Sequence, residues 1–512
     1  MSKNQLNIKT AADIAPGELN LSVDAVVVGS GAGGAINAYE LAKAGKKVLV
    51  LEAGPYVPSD KFTEMLAVAM GTLYADEGGQ ANTAQDITVL QGRCVGGSTV
   101  VNAALCFRTP EHYLKIWREQ FGLTELTQER MTGYFEKVER NLNIQPNKGY
   151  ETSAGAELIK KGLKKLDIPE GNAKRNIRDC VLSGFCFSGC KSDRKQSMLV
   201  TYLPWACNHG AEIFADTRVT QVVAKNGQAK GVLAEVVDPK TGQVKTRVNV
   251  SAPLVVMAAG PIQTPIILQQ SGLANSSGQV GKNFACHPTL SVTAMFDQKV
   301  DDFHGATHSL YVDTNILPEE GGWLQLNAVQ EPVEASFQAE PGTGKAYVSY
   351  MEKYRNSMRL ITLIHDKNVG EVKLVDGAKH IEYSVDDEDF ENMKKGLKQN
   401  ARILFAAGAS YLYLPTYDRT LIESPEQVDS VIDGLKNGVA KYRYTSFHPQ
   451  GTCRMGADPK TSVVSPSGET HDVKNLYVAD ASLLPTSIGY NPSETVYALA
   501  SFIADKINGR IA

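Results

Sequence analysis

Asp24-AVVVGSGAGGAINAYELAKAGKKVLVL-Glu52 is the stretch whose reading decides the fold. The apolar run Ala25 to Val28 ends at Gly29, and Gly29, Gly31 and Gly34 then make G-x-G-x-x-G. A helical pattern follows through Ile36, Leu41 and Ala44, and a second apolar run, Val48 to Leu51, ends in the acid Glu52. Strand, glycine turn, helix, strand and terminal acid in this register describe one βαβ dinucleotide-binding unit. Gly29 permits the tight turn, and Gly31 lets backbone N–H groups approach a pyrophosphate. Gly34 lets the helix pack close to its strand, so the helix N-terminus faces the phosphates. Glu52 then accepts hydrogen bonds from a ribose diol. The unit implies an adenine dinucleotide and leaves open which one.

The rest of the chain is long enough to matter. Its 512 residues correspond to two to four domain equivalents. Lys and Arg number 52 against 56 Asp and Glu, a net charge of −4 that gives no reason to expect nucleic acid or an anionic membrane as partner. No segment approaches the ~20 continuous apolar residues of a membrane helix. The opening MSKNQLNIKTAADIAPGELN has no apolar h-region, so a cytoplasmic address is the default expectation, with export on a signal-bearing partner left open. Eight cysteines are too few for a disulfide scaffold.

Residues 56–90 lack periodicity and read as a lid or excursion. Helical spacing runs from Thr109 to Glu139, with Pro110 suited to a first turn. The segment 211–239 reads as strands with a hairpin at Asn226-Gly227, and Leu254 to Met257 as a short strand before a helix ending at Gly272. From about 290 to 440 alternating patterns, such as that beginning at Ser291, predict antiparallel strands with one solvated face. A helix is predicted from Asp387 to Ala406 with Asp386 as cap, and a closing helix from Ser493 to Ile507.

The C-terminal section carries a second constellation, His448-PQGTCRM-Gly456 and Tyr477-VADASLLPTSIGYNPSE-Thr495. His448 and Asn491 each precede a proline. Polar groups on such rigid backbone suit a site where a base takes a proton and a neighbour orients the substrate. The whole arrangement resembles the glucose–methanol–choline (GMC) family of flavin-dependent oxidoreductases. Four blocks carry the resemblance: Gly29 to Glu52; Gly92-RCVGGSTVV-Asn102; Gly260-PIQTPIILQQSG-Leu273; and His448 with Asp480 and Asn491.

The resemblance implies an α/β fold, in which a Rossmann-like FAD-binding domain (20–290 and 441–512) carries an inserted antiparallel-sheet substrate domain (291–440). It implies FAD as the dinucleotide and oxidation of an alcohol to a carbonyl. His448 would take the hydroxyl proton while hydride moves to flavin N5, and Asn491 would hold the alkoxide oxygen. Gly97, Ser98, Thr99 and Asn102 would lie along the flavin and its pyrophosphate, with Asn491 and Pro492 at its other side. Val219 would contact adenine through its backbone, and Asp480 would anchor the ribityl or pyrophosphate region. Members that attach FAD covalently do so through a histidine one residue before the signature asparagine. Val101 stands there, which implies non-covalent FAD.

Asp179-CVLSGFCFSGC-Lys191 places Cys180, Cys186 and Cys190 in C-x5-C-x3-C. Thiolates in one glycine-containing loop suit an iron–sulfur site, and the spacing matches the three-iron (3Fe-4S) cluster loop of sugar and gluconate dehydrogenases in this family. The segment from Lys195 to Ala206 is more similar to the long-chain-alcohol branch. Three functions therefore stay open. They are an FAD enzyme for an apolar (fatty, aryl, terpenoid or steroid) alcohol, a sugar or polyol dehydrogenase passing electrons through the cluster to a small partner subunit, and a non-oxidative flavoprotein of the same fold. The electron acceptor is oxygen, a quinone or a cytochrome-like carrier. The other five cysteines read as small buried residues.

Overall fold

The computed structural model describes residues 6–317, 319, 321–338, 344–418 and 420–509. Ala25–Val28 and Val48–Leu51 are buried at every position, as strands covered on both faces must be. They occupy the middle of a six-stranded parallel sheet. Its order is Ile8–Lys9, Glu212–Phe214, Val48–Leu51, Ala25–Val28, Leu254–Met257 and Leu476–Val478. The helix Ala32–Lys43 follows the first glycine turn and packs against the closing helix Ser493–Ile507, where Asn37 Nδ2 donates to the Ala500 carbonyl at 3.3 Å. A second sheet joins Thr217–Lys225, Gln228–Val237, Val244–Ser251 and Gly17–Ser22. Its first hairpin turns at Asn226 and Gly227, both at positive φ, as a two-residue loop of this type requires.

Among the described residues the largest sheet has nine strands and is mostly antiparallel. Thr289–Met295 pairs with Ser357–Ile364, which pairs in turn with Trp323–Ala328. The sheet also takes in Gly171–Asn172, Ile87–Val89 and Tyr444–Ser446, so distant segments of the chain meet in it. The period-two expectation holds here, but its polar face lies on a cavity rather than on the outer surface. Val292 and Ala294 face an apolar cluster shared with the helix Asp387–Ala406, while Ser291 and Thr293 line a cavity. Alternation reports two different environments, and a cavity satisfies it as well as water does. Asp386 caps the helix as expected, its carboxylate accepting from Asp389 N at 2.8 Å.

The excursion after residue 56 holds the short helix Leu66–Leu73 and the strand Ile87–Val89, and Leu66, Met70 and Tyr74 also line the cavity. Helical spacing after Thr109 resolves into two helices, Glu111–Phe121 and Gln128–Leu142. Pro110 is the cap of the first rather than inside it. No helix among the described residues is long and apolar enough to cross a membrane.

Candidate active site

One cavity of about 1150 Å³ runs from the first glycine turn to the large antiparallel sheet. Gly29, Gly31, Glu52, Gly97, Ser98, Thr99, Asn102, Val219, His448, Asp480, Asn491 and Pro492 all line it. Residues from both ends of the chain thus face one space. Gly34 does not line it; a Cβ there would lie 2.0 Å from the Gly29 carbonyl oxygen, so its role is the close packing of helix on turn.

The dinucleotide end is built of clamped loops. Glu52 is buried and accepts from Ser30 N at 2.9 Å, Ser30 Oγ at 2.6 Å and Gly54 N at 2.8 Å. A carboxylate has about four lone-pair sites, so acceptor capacity for a diol is left. Burial raises its pKa against the pull of these donors. Asp480 ties the end of Leu476–Val478 to the helix Gly260–Ser271. It accepts from Gly260 N at 2.8 Å, Thr264 Oγ1 at 2.7 Å and Ser482 N at 2.8 Å. Val219 sits where the Thr217–Lys225 ladder shifts register, between Val219 and Gln221, which breaks the regular pairing of the backbone there. Ser98 Oγ accepts from Gly92 N at 2.9 Å, and Thr99 Oγ1 accepts from Met198 N at 3.0 Å. The glycine cradle, the acid at the second strand and the continuous cavity together fit an adenine dinucleotide.

At the far end, His448 follows the strand Tyr444–Ser446, and Asn491 precedes the helix Ser493–Ile507. Asn491 Nδ2 lies 2.9 Å from His448 Nε2. Burial drives His448 well below the ordinary imidazole pKa, with His287 and His308 adding to the effect. The ring is therefore neutral, and its Nε2 faces the Asn491 amide. His448 Nδ1 meets His287 Nδ1 at 3.2 Å. Of the residues that complete this cluster, Ser487 lies in the C-terminal segment with Asn491, while His287 and Asp366 carry no motif in the sequence. The one local trace is the His287-Pro288 pair, which repeats the His-Pro of His448 and Pro449.

The cysteine loop lies outside the cavity lining except for Phe187. Among the described residues no group of three or more His, Cys, Asp or Glu side chains is arranged to hold a metal ion, so the geometry gives the three-iron expectation no support. Cys180 and Cys190 accept instead from backbone N–H groups, Leu182 at 3.4 Å and Lys195 at 3.3 Å. The buried Lys195 donates to the Asn102 carbonyl at 2.7 Å and the Cys186 carbonyl at 2.8 Å, which bolts the loop to the flavin signature. Phe187 then stacks with Phe447, centroids 6.2 Å apart, beside His448. All eight cysteines are free thiols, with Cys94, Cys106, Cys286 and Cys453 buried and Cys207 half-buried.

Residues 70–289 and 366–500 match the GMC oxidoreductase families, and residues 24–75 match the FAD binding domain family. The chain belongs to the GMC oxidoreductases and is an FAD-binding oxidoreductase of α/β, Rossmann-type fold. It is 30% identical to the long-chain-alcohol oxidase FAO4A of Arabidopsis thaliana, over 97% of this chain and 70% of that one. It is 31% identical to the uncharacterized GMC-type oxidoreductase y4nJ of Sinorhizobium fredii, over 95% of each. A structure of formate oxidase from Aspergillus oryzae RIB40 superposes with a TM-score of 0.70 at 18% identity, over 96% of this chain and 98% of that one.

Proposed function

We propose that this protein oxidises an apolar primary or secondary alcohol to a carbonyl, with His448 as the base and non-covalent FAD as cofactor. The observation that carries the reading is the pair His448 Nε2 and Asn491 Nδ2, 2.9 Å apart on the wall of the cavity that also holds the dinucleotide cradle. On this reading 20–290 and 441–512 bind FAD, and the antiparallel sheet, most of whose strands lie in 291–440, supplies most of the substrate side. FAD, when bound, supplies the two-electron acceptor for the carbinol hydride.

The chain's own residues do the proton work. A neutral His448 accepts the hydroxyl proton at Nε2, because an unassisted alkoxide is a very poor species at neutral pH. The Asn491 amide N–H then faces the oxygen as negative charge grows on it. Beyond this pair the cavity wall carries Phe187, Leu326, Ala328, Ile361, Leu363 and Phe447. Such a lining supports an alkyl or aryl chain over a sugar, as does the kinship with long-chain-alcohol oxidases. On that reading oxygen is the acceptor. Val101, a buried aliphatic residue, offers no atom for a covalent flavin link.

The test is anaerobic mixing of the FAD-loaded protein with primary alcohols of increasing chain length and with sugars, following loss of flavin absorbance. Long alcohols should bleach the flavin faster than sugars, and His448→Ala should abolish the effect. Bleaching by sugars alone, or an unaffected His448→Ala, overturns the reading.

A further inference from the structure

His448 is the first member of a buried chain of groups that ends on a carboxyl. From its Nδ1 the chain passes to His287 Nδ1 at 3.2 Å, from His287 Nε2 to Ser487 Oγ at 2.8 Å, and from Ser487 Oγ to Asp366 Oδ1 at 2.9 Å. His287, Ser487 and Asp366 are each at most 6% exposed, so no bulk water replaces a link. His287 holds its place at φ 51°, a backbone region unusual for a histidine. The other oxygen of Asp366 accepts from Cys286 N at 2.7 Å, His287 N at 3.3 Å and Tyr383 OH at 3.2 Å.

The hydrogens of such a chain have two self-consistent arrangements. In the first, Asn491 donates to His448 Nε2, His448 Nδ1–H to His287, His287 Nε2–H to Ser487, and the Ser487 hydroxyl to an ionised Asp366. The lone pair of His448 Nε2 is then held by the Asn491 amide, which the substrate hydroxyl must displace to hand over its proton. In the second, every hydrogen points the other way: Asp366 is a neutral acid donating to Ser487, and His448 Nε2 carries the proton. The two differ by one proton. The surroundings serve both. The donors on Asp366 suit the first. Gln450 Nε2, 3.1 Å from His287 Nε2, suits the second, in which that nitrogen is an acceptor. Asn491 Oδ1 has no partner among the described residues, so a turn of the amide gives His448 Nε2–H an acceptor in the second state.

We propose that His287, Ser487 and Asp366 are positioning residues that form a proton relay, taking the substrate hydroxyl proton from His448 and storing it on Asp366. This rests on His448 being the base. The substrate O–H bond breaks as His448 Nε2–H forms. His448 Nδ1–H is exchanged for His287 Nδ1–H, His287 Nε2–H for a Ser487 hydroxyl hydrogen, and the old hydroxyl hydrogen ends on Asp366. No electrons move along the chain. Burial favours this direction of travel. It pushes His287 down to about 3 and His448 well below its ordinary value, and it raises the carboxyl of Asp366. The other titratable groups facing the chain are His308, His365, Tyr383, Cys286, Lys367 and Asp389.

Infrared difference spectra between alcohol-reduced and oxidised FAD-loaded protein read the stored proton directly. The expected result is a protonated-carboxyl carbonyl band that shifts in D2O and is missing in Asp366→Asn and Ser487→Ala. Anaerobic flavin reduction should slow by about 10- to 100-fold in Ser487→Ala, with bound FAD unchanged, and recover in Ser487→Thr, which keeps the hydroxyl. Should Asp366→Asn fail to fold, the wild-type band and the Ser487 pair still decide. No carboxyl band, or a band and rate untouched by Ser487→Ala, overturns the relay. An unaffected rate in His448→Ala instead overturns the assignment of the base.

Discussion

A Cβ on Gly97 would lie 2.7 Å from the Cα of Gly31, whereas a Cβ on Gly31 would lie 3.8 Å from the Cα of Gly97. The two glycine loops touch, but only one of them lacks room for a methyl group. Gly97 also sits at φ 56°, while Gly31 has an ordinary φ of −72°. Gly97→Ala should therefore lower stability by about 1–3 kcal/mol. Gly31→Ala should fold normally and lose FAD, since its methyl would border the dinucleotide space. Thermal melts and flavin content after gel filtration separate the two effects. Equal melting points would contradict this account of Gly97.

Asn491→Ala should reduce alcohol-driven flavin bleaching by about 100-fold, the usual cost of removing one donor aimed at a developing oxyanion. Because His448 is held well below its ordinary value of 6.5, the base stays neutral on mild acidification. The wild-type rate should stay flat from neutrality down through pH 6.5. A rate that halves near pH 6.5 would show an imidazole with an unshifted pKa.

Phe187→Ala removes one wall of the stacked pair beside His448. Bulky or branched alcohols should gain at least about tenfold in kcat/KM relative to slim ones, with little change in melting temperature because Phe187 is only half-buried. An unchanged ratio would remove Phe187 from the substrate path.

Glu494 is buried at the start of the helix Ser493–Ile507, and burial together with nearby Glu139 raises its pKa from 4.5 to about 8. The folded state thus binds a proton that the unfolded chain has released between those values. This stabilising preference is complete below 4.5 and is lost as pH rises through 8. Glu494→Gln keeps the neutral shape, so its stability relative to wild type should grow by up to about 1.4 kcal/mol per pH unit across that window. Denaturant titrations at pH 5, 7 and 9 test the sign, which a constant difference would refute.

Lys195→Met should leave the Asn102 and Cys186 carbonyls without their buried donor, costing about 2–5 kcal/mol and weakening FAD binding. A fully stable variant with normal flavin content would mean that the loop is held by other contacts.

The parts of this molecule legible in the sequence are those whose causes are local. The glycine turn at Gly29, the Asn226-Gly227 hairpin and the Asp386 cap each depend on residues a few positions apart. The meeting of His448 and Asn491 is legible because each stands in a short recognisable segment. The chain through His287, Ser487 and Asp366 is not, because its links from His448 onward join residues 121 to 200 positions apart and no spacing rule connects them. The cysteine loop is a different case. Its spacing fits cluster ligation, but among the described residues no such ligand group forms, and Lys195, from outside the motif, ties the loop to Asn102.

Val255 pairs with Leu476, so the parallel sheet is closed by a strand that the ribosome delivers late. Until then the edge of Leu254–Met257 offers unpaired backbone groups to any passing strand. Asp480, His448 and Asn491 arrive in the same final stretch. One segment thus both covers the sheet edge and brings these residues to the cavity, so the fold and the site are completed together.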